Sequence, residues 1–278
     1  MWYDALRRPS PLPLPLLDKL TYSFFAGLGR RCPRGLEDMV RQATLLVFES
    51  CVGLPAFPAF RRLNPEARCV YRVSDDLAGF GVHQVVRDAE RAAAAEFDLI
   101  SVPYEAMLDK VEFREAKNLV WFPHGIPTRL LDRDYDCPYA ASPCKRAVFT
   151  GVNLFDEDFP FVAAPLVPEV EFHIIGPQPP ERQQERVTFY GEMLYEAMLP
   201  YVKHADIALQ CLTRGGFGTS NKSMIYTYCG LPIVASSGNG APWPHVFCYE
   251  PGDEASIATA ASNLPAGMSS AASMPRPH

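Results

Sequence analysis

Short runs rich in β-branched and aromatic residues alternate with helix-length stretches from Leu45 almost to the end of the chain, and that rhythm leaves few folds open. Residues 45–48, 69–72, 99–102 and 119–121 read as strands, with helices such as 85–96 between them. Strands joined through helices run parallel, and parallel strands are expected to be buried on both faces. A polar, strandless stretch over 131–145, carrying Asp132, Asp134, Asp136, Pro138 and Pro143, interrupts the series. A second series follows at 147–150, 170–175, 187–190, 207–209, 233–235 and 246–249. The expected fold is α/β, with two Rossmann-like lobes facing a cleft and ligands at the carboxyl ends of the strands. The boundaries are 1–130 for the first lobe, 131–145 for a linker, 146–263 for the second lobe, and 264–278 for a disordered Ala/Ser/Met/Pro tail. With four strands and no opening strand that leads into a glycine-rich turn, the first lobe reads as incomplete.

Gly215-Gly216-Phe217-Gly218-Thr219-Ser220-Asn221-Lys222 runs into a short helix, a stop at Gly230 and a strand from Ile233. Free amides at such a helix start, the helix dipole and a Lys in the first turn suit a diphosphate. The same unit also occurs as plain structure with its Lys in water, so the pattern alone leaves both readings open.

Other polar groups fall at strand ends. Ser74, Asp75 and Asp76 follow the strand at 69–72, where a carboxylate can act as general base toward a hydroxyl and adjacent carboxylates can raise each other's pKa. An Asp in that place also caps helices. Glu192 follows the strand ending at Tyr190 and suits either the hydroxyls of a ribose or a helix start. His124 and Gly125 follow Trp121 and are placed in the cleft without a proton assigned to the imidazole. The loop from Gly151 through Asn153 to Asp156 brings backbone amides toward the same cleft.

A net charge of -6 and a pI near 5.6 argue against a nucleic-acid partner, whose phosphates need a basic face. The eight cysteines show no Cys-x-x-Cys pair and read as reduced, mostly core residues of a cytosolic protein. No apolar run reaches the roughly 20 residues that span a bilayer. Arg7, Arg8, Lys19, Arg30, Arg31, Arg34 and Arg41 interleave with Leu16, Leu17, Leu20, Tyr22, Phe24 and Phe25, which suits a helix on an anionic membrane surface or one packed on its own domain. No Asp-x-Asp pair at a strand end, P-loop or Gly-x-Ser-x-Gly elbow is present, so a metal-bridged phosphate site, a P-loop ATPase and a serine hydrolase lack support.

Several segments together carry a resemblance: Val47-Phe48-Glu49-Ser50, Leu63-Asn64-Pro65-Glu66-Ala67, Val70-Tyr71-Arg72-Val73-Ser74-Asp75, His124-Gly125, Leu154-Phe155-Asp156, Phe172-His173-Ile174-Ile175-Gly176, Tyr190-Gly191-Glu192-Met193, Tyr201-Val202-Lys203-His204-Ala205 and Gly230-Leu231-Pro232. In that order they resemble the GumK-like β-glucuronosyltransferases of glycosyltransferase family 70, membrane-associated enzymes of polysaccharide assembly. The resemblance implies a GT-B fold, a UDP-sugar held by the second lobe, a lipid-linked oligosaccharide acceptor at the inner membrane face, no metal or other cofactor, and inversion at the anomeric carbon. It implies that Asp75 is the catalytic base, that Glu192 binds UDP, and that Ser220 and Lys222 lie on the phosphate side. Asn221, Ile225 and Asn153 stand where the family has Met, Gln and Met, which leaves the sugar open between glucuronate and a hexose. The family begins upstream of the match to Met1 and closes with a helix beyond the match to Asn263, which implies a shortened first lobe. Two alternatives stay open beside transfer: a chain that binds UDP without catalysis, and a nucleotide-sugar epimerase.

Overall fold

The computed structural model describes Gly27, Cys32 and residues 35–50, 53–79, 82–213 and 220–262. The basic and apolar stretch over residues 7–25, the glycine loop over 215–219, Cys51 and the tail over 264–278 lie outside the described residues. The chain divides into two units after His124.

In the first unit, strands β1 (Leu45–Glu49), β2 (Arg68–Arg72), β3 (Leu99–Val102) and β4 (Leu119–Trp121) form one parallel sheet in sequential order. Helix α1 (Glu37–Gln42) precedes β1, and α2 (Phe57–Leu63) and α3 (Gln84–Ala93) connect β1 to β2 and β2 to β3. α3 begins where the His83 ring accepts the Val85 amide at 3.2 Å, and it buries Val85, Val86, Glu90 and Ala93 on the side that meets the sheet. Leu54, Phe57, Tyr71, Phe97, Ile100 and Val102 fill the core. The Phe57 and Phe97 rings lie 4.4 Å apart, and Phe48 sits edge-on to both.

This sheet departs from the expected burial on both faces. Leu45, Val47 and Val120 are 53%, 57% and 40% exposed. Val47 registers with Val70 and Val70 with Leu99, so these residues line one sheet face together. The cause lies in the strand order: right-handed crossovers that always step in the same direction put every connecting segment on the same face.

The second unit reverses direction and therefore covers both faces. It opens with α4 (Thr128–Leu131), then β5 (Lys145–Thr150), α5 (Asp158–Leu166), β6 (Val170–Ile175) and β7 (Val187–Gly191). α6 (Tyr195–Lys203), β8 (Ile207–Gln210), α7 (Asn221–Tyr228), β9 (Ile233–Ser236), β10 (Val246–Tyr249) and α8 (Glu254–Ser262) complete it. The parallel sheet runs β10-β9-β8-β5-β6-β7. Phe149, Phe159, Phe172, Ile174 and Leu209 pack on one face, and Val148, Leu199, Val202, Ala208 and Tyr226 on the other.

The expected linker is a second point of difference. It is strandless up to Lys145, where β5 begins, but residues 126–139 are built into the second unit: Leu131 and Tyr139 are buried, and the Tyr139 hydroxyl donates to the Tyr201 carbonyl at 2.7 Å. Lys203 Nζ donates to the Leu131 carbonyl at 2.6 Å, and His204 Nε2 donates to the Tyr135 carbonyl at 2.6 Å. Two tyrosines among the Asp and Pro residues anchor a stretch whose overall polarity suggests a tether. The cysteines are free in all seven described positions, but only Cys69 and Cys211 are core residues; Cys137 and Cys248 are exposed.

Candidate functional site

In the second unit the chain steps from β5 outward to β7, then returns to the other side of β5 at β8. In an open α/β sheet a ligand binds outside the carboxyl ends of the strands at such a reversal. The strand ends here are bare. Gly151, Gly176 and Gly191 follow or end β5, β6 and β7, each with positive φ, and a Cβ on Gly176 would lie 2.3 Å from the Gly151 carbonyl oxygen. The backbone can approach this closely only without a side chain.

Across the reversal, Phe155 bridges to Leu212, and the Thr213 amide donates to the Leu154 carbonyl at 2.8 Å, tying the loop after β5 to the loop after β8. α7 starts beside these loops. Ser220 caps it by accepting the Ser223 amide at 3.2 Å. Gln210, fully buried at the end of β8, accepts from the hydroxyls of Ser220, at 3.1 Å, and Ser223, and its amide nitrogen donates to the Asn239 carbonyl at 2.9 Å. The helix start is therefore fixed from below by a buried polar network.

Lys222 sits in the first turn of α7, with its ammonium group 4.8 Å above the Phe149 ring and 3.0 Å from where a Cβ on Gly151 would be. Part of the side chain reaches the surface, but the ammonium is enclosed, and loss of solvent lowers its pKa to about 8. A cation at a helix N-terminus also opposes the dipole. Among the described residues no carboxylate contributes to its electrostatic environment, and the neighbour that does is the Cys211 thiol, itself pushed up by burial. The position is unfavourable for a lone ammonium and suited to an anion. Asn153, Glu192 and Asn221 are exposed around the same strand and helix ends, free of packing duties.

In the first unit, the turn after β2 gathers three of the expected residues. Asp75 is exposed. The Ser74 carbonyl accepts a hydrogen bond from His124 Nε2 at 3.2 Å, which fixes the hydrogen on that nitrogen, and the Tyr104 ring meets His124 edge-on. Asp76 pairs with Lys110. The phenol of Tyr104 is pushed up to about 12 by burial, with Asp75 and Asp76 adding to the effect. Gly125, the first residue of the second unit, has open space where a side chain would be.

Comparison with known proteins bears on both units. Residues 1–103 match the family described as glucuronosyltransferase GumK, N-terminal domain, and residues 145–266 match glycosyl transferases group 1. Over 235 residues, 82% of this chain, the sequence is 30% identical to the UDP-glucuronate:glycolipid 2-beta-glucuronosyltransferase of Xanthomonas campestris pv. campestris. The chain is a GumK-like GT-B protein. It spans 58% of the length of that relative. The fold is shared with sucrose-phosphate synthase from Thermosynechococcus elongatus, at 15% identity and a TM-score of 0.64 over 91% of this chain and 70% of that one. It is also shared with an E. coli trehalose-6-phosphate protein bound to UDP-2-fluoro glucose, at 10% identity and a TM-score of 0.62 over 95% and 74%.

Several residues of these two clusters escape a reading of the sequence. Gln210 looks like the first residue after a strand, yet a Gln within Ile207-Ala208-Leu209-Gln210-Cys211-Leu212 is a polar group in an apolar run, and that signal was available. Glu90 falls on the apolar stripe of α3 with Val86 and Ala93, at helical spacing, and was equally open to notice. Ser50 could not be placed without the sheet, because its neighbours lie across the strands.

Proposed function

We propose that this chain is an inverting glycosyltransferase that moves glucuronate or a hexose from a UDP-sugar to a lipid-linked oligosaccharide in polysaccharide biosynthesis. The observation that carries the reading is the enclosed Lys222 ammonium at the start of α7, lacking a carboxylate partner among the described residues. A diphosphate supplies the missing negative charge, and the amides of the helix start add donors. Glu192 takes the ribose hydroxyls, Ser220 holds the phosphate side, and Asn221 and Asn153 face the sugar. In the transfer step the acceptor oxygen attacks C1, the bond from C1 to the diphosphate oxygen breaks, and Asp75 takes the acceptor proton. One displacement from the face opposite UDP inverts the anomeric centre. Charge that builds on the departing UDP is met by Lys222 and the helix dipole, so no metal enters the step.

The relative named above acts on a glycolipid, which supports an enzyme working at a membrane surface, and we place it peripherally on the cytoplasmic face. Among the described residues no helix is long and apolar enough to cross a bilayer.

Calorimetric titration of UDP, UDP-glucose and UDP-glucuronate into the purified chain tests the reading. Micromolar binding is expected, weakened at least about tenfold by Lys222→Met and by Glu192→Ala. Asp75→Asn is expected to abolish transfer and leave UDP affinity unchanged. A folded chain that binds no UDP would sink the proposal.

A further inference from the structure

The turn that presents Asp75 is held through its backbone, and the hold leads back to a buried carboxylate. Ser50 follows β1, and its Oγ accepts the amides of Ser74 at 3.1 Å and Asp75 at 3.4 Å while donating to the Asp75 carbonyl at 3.2 Å. The Tyr71 hydroxyl lies 3.1 Å from the same oxygen. Tyr71, fully buried in β2, donates to Glu90 Oε1 at 2.5 Å. Glu90 is itself buried on the side of α3 that packs on the sheet. A carboxylate there costs desolvation energy that an apolar side chain would not, so packing alone gives no reason for it.

We propose that Glu90, Tyr71 and Ser50 are positioning residues, a hydrogen-bonded relay from α3 to the Ser74–Asp75 turn that fixes where Asp75 presents its oxygens. The proposal rests on the reading of Asp75 as the base. Ser50 has one hydroxyl hydrogen and two acceptors in reach, the Asp75 carbonyl and the Tyr71 oxygen. With Glu90 ionised, Tyr71 commits its hydrogen to Glu90, and the Ser50 hydrogen is divided between those two acceptors. With Glu90 neutral, its own O–H can donate to Tyr71 and Tyr71 to Ser50, which commits the Ser50 hydrogen to the Asp75 carbonyl and leaves its two lone pairs shared among three donors, the Tyr71 hydroxyl and the amides of Ser74 and Asp75.

Burial raises the Glu90 pKa to about 7, against the lowering effect of the Tyr71 hydrogen bond. The charged groups that face it are Glu112 and Asp76, which raise it further, and Lys110, which lowers it. Lys110 pairs with Asp76, and Glu112 lies 3.8 Å from Arg91. Glu90 is thus neutral below about 7 and ionised above, and the hydrogen bonds on Ser50 rearrange as pH falls through that value.

Amide hydrogen exchange on the full chain, resolved to single residues, tests the relay. Ser50→Ala is expected to lower protection at Ser74 and Asp75 by about tenfold while the amides of β6 keep theirs. Glu90→Gln, whose amide oxygen still accepts from Tyr71, is expected to keep that protection but to lose its change between about pH 6 and about pH 8. Turnover is followed as UDP released from UDP-glucuronate with a bacterial glycolipid extract as acceptor. There Ser50→Ala lowers kcat at unchanged UDP affinity, and Ser50→Thr restores it. Unchanged protection at Ser74 and Asp75 in Ser50→Ala overturns the relay, and lost protection with full kcat overturns its positioning role. Normal transfer by Asp75→Asn alongside a loosened turn in Ser50→Ala would remove the base assignment and leave the relay as a brace of the turn.

Discussion

Lys222 concentrates the electrostatic logic of the second unit in one side chain. Its pKa of about 8 in the folded chain lies below the ordinary 10.5, so between those values the unfolded chain binds more protons and stability climbs with pH. At pH 7 the charged, desolvated ammonium weakens the fold by up to about 3 kcal/mol, a cost that an anion beside it offsets. Lys222→Met, which keeps the length and removes the charge, is therefore expected to raise the melting temperature at pH 7 while it loses UDP binding. Binding itself should depend on pH with a defined sign. Below about 8 the ammonium is already charged and affinity is flat; above that value UDP must recruit a proton, and affinity falls by up to about tenfold per pH unit. Titration in buffers of different ionisation enthalpy measures the proton uptake directly. An affinity that is flat from pH 7 to pH 9.5 would show that Lys222 does not meet the diphosphate.

The strand ends make their own demand on the backbone. Gly176 has φ of +118° and no room for a Cβ, which would meet the Gly151 carbonyl carbon and oxygen at 2.7 and 2.3 Å. Neither atom belongs to a flexible side chain, so Gly176→Ala is expected to cost at least about 2 kcal/mol from strain and overlap together, read as a lower urea midpoint. Gly151→Ala carries comparable backbone strain at φ +122°, but its Cβ would press on the movable end of Lys222, so its larger effect is expected on UDP affinity. The strands were legible from apolar periodicity: 99–102, 119–121, 170–175 and 246–249 both begin and end where they were expected to, and the others differ by one or two residues. The open face of the first sheet was not legible, because it follows from strand order, which no local pattern carries. The site divides in the same way. Ser220 and Lys222 stand out as a local cap and cation, whereas Gln210, Ser50 and Glu90 act through neighbours 10 to 29 residues away and become visible only in three dimensions.

At the scale of the molecule, the two proposed roles fall on units that differ in how completely they bury themselves. The second unit covers its sheet on both faces and contains Gly151, Gln210, Ser220 and Lys222, with the packing that places them. A chain beginning at Gly125 is therefore expected to unfold cooperatively by itself and to bind UDP within about threefold of the full-length affinity, since no group assigned to UDP lies before that residue. Starting instead at Lys145, as the polar composition of residues 131–145 would suggest, removes Leu131 from a buried cluster and Tyr139 from its ring contacts with His173 and Tyr201. It also leaves the carbonyl of Tyr201, the ammonium of Lys203 and the ring of His204 without the partners they have in the intact chain. Losing one buried Leu alone costs about 3 to 5 kcal/mol in a packed core, so the shorter chain is expected to melt far lower or to remain unfolded. Calorimetric melting of the two truncations side by side decides between the boundaries. Equal stability of the chains starting at Gly125 and Lys145 would mean that residues 125–144 are a tether after all.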